Sequence, residues 1–232
     1  MSEADALRTH LTVVDEDRDA KWRHRFYDLV DVARLVRRDP RIFLGPDGFP
    51  YYALDLPDDG EDGEVSVSDL IDLATDRGFG IAIEPHGDAA AWVFTCGDLV
   101  TRRAFGGYEL PRIGVTPAEF PTFRAVMKET QRMEILAPTD TMLPSYVRPL
   151  LYSYFTRSLG ISQPGVLALV SPDQEPPEQL VFRIARDDFA DEEEFENAIS
   201  GLTWFLPRHL VVSILPSDVL AALDVAFVPL AV

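Results

Sequence analysis

Apolar residues recur at two periods along this chain, and the alternation between them sets the expected order of elements. Trp22, Phe26, Leu29, Val30, Ala33 and Val36 are spaced by three and four, which predicts an amphipathic helix over 20–37, capped by Asp19 and barred from continuing by Pro40. A shorter helix is expected before it, from Ser2 to Leu11. Residues 41–56 read as a hairpin: Ile42–Leu44 runs out, Gly45-Pro46-Asp47-Gly48 turns, and Phe49, Tyr51, Tyr52 and Leu54 return, with Pro50 marking an edge. Ser66 or Ser68 opens a helix to Arg77 with Leu70, Ile71 and Leu73 inward and Gly78 as its C-cap. Gly80–Glu84 and Ala91–Thr95 form an antiparallel pair across the turn Pro85-His86-Gly87-Asp88, and Gly97-Asp98 closes the second strand. The run Leu99–Phe105 fits either type of element.

The second half is simpler. After a Pro- and Gly-rich connection (Gly106 to Pro121), Phe123–Gln131 reads as helical and Ile135–Pro138 as a short strand. Tyr146, Val147, Leu150, Leu151, Tyr154, Phe155 and Leu159 predict a helix that Gly160 ends, with Pro149 tolerated only in its first turn. Gly165–Val170 and Gln179–Ile184 form a buried strand pair across 171–178. Asp191 caps a helix carrying Phe195, Ala198, Ile199, Leu202 and Phe205. An apolar strand Leu210–Leu215 follows, then a short helix from Ser217 and a terminal apolar segment over Val225–Val232. No residue pattern repeats at a fixed period. Strands arrive in pairs between helices, so the expected class is α+β, with mixed or antiparallel sheets flanked by helices, arranged as two modules over 1–130 and 131–232.

Charge narrows the function classes. The 232 residues carry 39 Asp and Glu against 21 Lys and Arg, a net of −18. Residues 1–130 hold 25 acidic and 15 basic side chains and residues 131–232 hold 14 and 6, so both modules are acidic. Such a chain repels phosphate backbones and anionic lipid, so neither nucleic acid nor membrane is an expected partner. No apolar stretch is long enough to span a bilayer, and the start MSEADALRTHL lacks a basic segment followed by an apolar run. Cys96 stands alone, which rules out an intrachain disulfide. A reducing cytoplasm is the expected compartment.

Motifs for bound groups fail at specific positions. Asp15, Asp17 and Asp19 have the alternation that opens a calcium loop, but its sixth position is Ala20 and its twelfth is Phe26, which cannot coordinate. His10, His24, His86 and His209 share no ligand spacing. Phosphate-loop glycine patterns and a nucleophile elbow are both missing. No metal and no cofactor is therefore expected. The leading expectation is a non-enzymatic protein-interaction, regulatory or immunity module. Its contact surface would be the seven acids in ten residues Asp187, Asp188, Asp191, Glu192, Glu193, Glu194 and Glu196, more than helix capping requires. Asp58–Glu64 is a second acidic run. The expected partner is a protein with a basic surface, or a second copy through the Arg-rich patch Arg23, Arg25, Arg34, Arg37 and Arg38. The alternative is an enzyme or small-ligand-binding protein using His86, Glu84, Asp88 and Cys96, which lie on or beside one predicted hairpin.

Overall fold

The computed structural model describes residues 2–58, 61, 63–87, 89–109, 134–170 and 178–230. The chain divides into two compact units, Met1–Tyr108 and Glu109–Val232. Among the described residues each holds one mixed sheet, of four and of five strands, flanked by helices, which is the α+β class the sequence predicts.

In the N-terminal unit, α1 (Glu3–Leu11) and α2 (Ala20–Val32) precede a sheet of order β1 (Val36–Leu44), β2 (Pro50–Asp55), β3 (Gly80–Ile83) and β4 (Trp92–Phe94). Helix α3 (Val67–Arg77) crosses from β2 to β3, which are parallel, with Leu54 opposite Ile83; the pairs β1/β2 and β3/β4 are antiparallel. Asp19 caps α2 by accepting from the Trp22 N–H at 2.7 Å, as predicted. The helix ends five residues sooner than its apolar spacing suggests. Ala33 turns extended, Leu35 bridges to Val65, and Val36 and Arg37 already pair with Asp55 and Leu54. Sheet pairing thus claims residues whose burial alone resembled a helical face. Ser66 caps α3 and Gly78 closes it at φ 74°. The ambiguous run after β4 is helical: α4 (Cys96–Phe105) begins at Cys96, not after Asp98, because Thr95 and Asp98 form a reciprocal capping box. The core packs Phe26, Leu54, Ile81, Ile83, Phe94 and Leu99 together, with Trp92 and Tyr108 closing over the aromatic side.

In the C-terminal unit, α5 (Arg148–Ser153) carries Pro149 in its first turn, as required, and continues as one π-helical stretch over Tyr154–Ser158. Strand β6 (Gly165–Val170) is apolar on both faces because it is central: β7 (Glu178–Phe182) pairs on one side, and β5 (Glu134–Leu136) and β9 (Val228–Pro229) share the other. Helix α6 (Glu192–Thr203) crosses from β7 to β8 (Val211–Ser213), and these two strands are parallel. Helix α7 (Ser217–Ala222) follows, and Leu220 and Phe227 close a core with Leu167, Leu169, Val181 and Ala185. The expected helix at Phe123–Gln131 lies outside the described residues.

The two units share a topology that no residue pattern displays. Each runs helix, antiparallel strand pair, crossover helix, and a third strand parallel to the second: α2-β1-β2-α3-β3 in one and α5-β6-β7-α6-β8 in the other. Each element of the second set begins 125–131 residues after its counterpart. The two units therefore repeat one α-β-β-α-β order at nearly constant spacing.

Candidate functional site

In an open sheet, the carboxyl ends of parallel strands face a crevice that secondary structure does not fill. Each unit has a groove there. In the C-terminal unit the walls are the segments that leave β7 (Ala185, Arg186, Asp187) and β8 (Ile214 through Asp218). Ile214 and Leu215 are half-buried, and Leu215 packs on the core; Pro216, Ser217 and Asp218 are exposed. The Ser217 hydroxyl donates to Asp187 Oδ2 at 3.0 Å and ties one wall to the other. The result is an apolar floor under an acidic rim.

Of the acidic run, Asp187 lines the groove, opposite Asp218, and all seven of the run's carboxylates lie on exposed residues. Several have local duties. Asp188 accepts from the Ala185 N–H at 2.7 Å, Asp191 caps α6 through the Glu194 N–H at 2.9 Å, and Glu194 accepts from the Ala190 N–H at 2.8 Å. Glu192 pairs with Arg186 at 2.6 Å, and that guanidinium also sits 5.7 Å from the centre of the Phe195 ring. Capping therefore accounts for Asp188, Asp191 and Glu194. It does not account for Glu193 and Glu196, or for Asp218 across the groove. The residues missed by sequence reasoning are Ile214, Leu215 and Asp218; the available signal was an uncharged apolar strand running into Pro216-Ser217-Asp218.

In the N-terminal unit the corresponding groove lies beyond β2 and β3, between Arg8, Leu56, Asp58, Glu84, His86 and Ala89–Ala91. It brings together two of the expected residues. Glu84 has a left-handed backbone, φ 52°, unusual for a side chain of this size. Its N–H donates to the Leu54 carbonyl at 2.8 Å, its Oε1 accepts from the Leu56 N–H at 2.6 Å, and its Oε2 lies 3.2 Å from His86 Nε2. The imidazole is exposed at the mouth. Beneath it, Arg38 reaches from β1, donating to the Pro85 carbonyl and lying 3.6 Å from Asp55. Burial raises the Asp55 carboxyl above its usual range and the neighbouring Glu84 adds to this, against the pull of Arg38. Asp55 Oδ1 is buried with no hydrogen-bond partner among the described residues.

The other expected residues do not join. Cys96 is fully buried at the start of α4, and burial, reinforced by Asp98, pushes its thiol up to about 12. A thiol so placed stays protonated at neutral pH and is no nucleophile. Asp88 lies outside the described residues. Among the described residues, no group of three or more His, Cys, Asp or Glu side chains has the arrangement of a metal site. The Arg-rich patch is largely consumed inside its own unit: Arg34 pairs with Asp69 at 2.6 Å, Arg37 with Glu64 at 3.4 Å and Arg38 with Asp55. Of the acidic loop, Glu64 holds Arg37 while Asp58 lines the groove. No described helix is long and apolar enough to cross a membrane. No family model, curated protein or solved structure matches the chain.

Proposed function

We propose that the protein works by binding, and that its C-terminal groove takes a partner with a basic surface. The observation carrying this reading is the meeting of an apolar floor (Ile214, Leu215, Pro216) with acids from both walls, Asp187 and Asp218, beside the exposed first turn of α6. Apolar contact supplies affinity, and the rim steers and selects a cationic ligand. Glu193 and Glu196 add charge that repels itself until a cation arrives.

The test is fluorescence anisotropy with a labelled short peptide of alternating Lys and Val. The variant Asp187→Asn/Glu193→Gln/Glu196→Gln/Asp218→Asn leaves the capping acids in place. Wild type is expected to bind, and the variant to bind about tenfold more weakly, about 1.4 kcal/mol. Equal affinity for the two proteins would overturn the reading.

A second reading has its own support. The left-handed Glu84, held by Leu56 and facing His86, is the kind of backbone strain that collects at ligand sites. It favours a small polar ligand in the N-terminal groove. Under this reading, ligands found by thermal-shift screening lose their effect in His86→Ala. A hit unaffected by that change binds elsewhere.

A further inference from the structure

We propose that the basic partner enters as an added β-strand along β8, an inference that rests on the binding role of the C-terminal groove. Strand β8 lies at the edge of its sheet. Gln179, Leu180 and Val181 of β7 pair with Val211, Val212 and Ser213 on one side, and no described strand lies on the other. Alternate main-chain N–H and C=O groups of an edge strand point outward, unpaired. Natural edges are usually blunted by charge, proline or irregular register. The edge β1 shows all three: Arg37, Arg38 and Arg41, Pro40, and a register shift between Arg37 and Ile42. The segment Leu210–Leu215 is guarded only by the three-residue length of β8: it has no charge, no proline and three β-branched residues, and stays only half-buried.

The strand also points at the groove. It runs directly into Ile214, Leu215 and Pro216, so a chain paired along β8 continues beside the apolar residues of the groove towards Asp218. Strand addition supplies affinity through main-chain bonds and reads alternate side chains. Charge complementarity chooses the occupant. A second copy pairing β8 to β8 would bring two acidic rims together, whereas an extended segment alternating apolar and basic residues meets the floor with one face and the rim with the other.

Two measurements on the full chain test this with the Lys/Val peptide. Hydrogen exchange is expected to slow over residues 210–215 when the peptide is bound. A peptide of the same sequence N-methylated at alternate residues keeps its charge but loses the donors of one edge, and is expected to bind about tenfold more weakly. Equal binding of the methylated peptide, or protection confined to segments other than 210–215, overturns strand addition. If the rim variant still weakens binding in that case, the groove reading survives alone. Failure of the parent peptide to bind, or dimerisation of the free protein through β8, overturns this proposal directly.

Discussion

The Tyr154 hydroxyl occupies the space in which a β-carbon on Gly201 would stand, and donates to the Ala198 carbonyl one turn earlier on the same helix at 3.0 Å. Tyr154 opens the π-helical stretch after α5, so this contact fixes α6, the helix that carries Glu192, Glu193, Glu194 and Glu196, against the body of its unit. Gly201→Ala forces the ring to move in a packed site. It is expected to destabilise the protein by about 1–3 kcal/mol, the usual range for overpacking, visible as a lowered Tm. An unchanged Tm would mean that the ring moves freely and does not position α6.

Cys96 is expected to resist thiol reagents. Its thiol is fully buried and held near 12, far above the pH at which such reagents are used. The folded protein should remain unlabelled at mildly alkaline pH and take up one equivalent on unfolding, read by mass spectrometry. Rapid labelling in the folded state would return Cys96 to consideration as a reactive group.

Asp55 sets a pH dependence whose sign follows from its surroundings. Its folded carboxyl holds its proton more tightly than in the unfolded chain, chiefly through burial. Its contribution to stability is therefore present at low pH and lost as pH rises through the raised folded value. Asp55→Asn removes that loss. Urea unfolding should show the variant gaining on wild type between about pH 4 and neutrality. A variant that loses ground over the same interval would show that the pairing with Arg38 outweighs burial.

The crossover helix of the N-terminal unit depends on a capping box. Ser66 Oγ accepts from the Asp69 N–H at 3.3 Å and Asp69 Oδ2 accepts from the Ser66 N–H at 3.0 Å. Ser66→Ala is expected to cost about 1 kcal/mol, measured by chemical denaturation. No change would show that the Ser66 main-chain bond to Asp69 is sufficient alone.

Much of this fold was legible from local chemistry. Asp19, Ser66, Gly78, Pro149 and Asp191 each sit where capping and proline rules place them, because those rules act over one turn of chain. What was not legible depended on distant partners. Val36 belongs to a strand because of Asp55, and the Thr95/Asp98 box that makes α4 was masked by an apolar run that reads equally as a strand. The shared element order was hidden for another reason: the crossover helices α3 and α6 are started by different residues, Ser66 and Asp191, so the common topology leaves no common capping pattern. The sites divide in the same way. The acidic run is visible in the sequence, but the groove that its Asp187 lines needs Ile214–Asp218, which join it only through the parallel pairing of β7 and β8.

The most direct test of a C-terminal binding groove is to map where a basic ligand touches the full chain. Amide chemical shifts of the labelled protein, followed through a titration with the Lys/Val peptide, are expected to move at residues 185–187, 192–196 and 210–218. Movement confined to residues 54–58 and 84–91 would place the binding surface in the N-terminal unit and contradict the central claim.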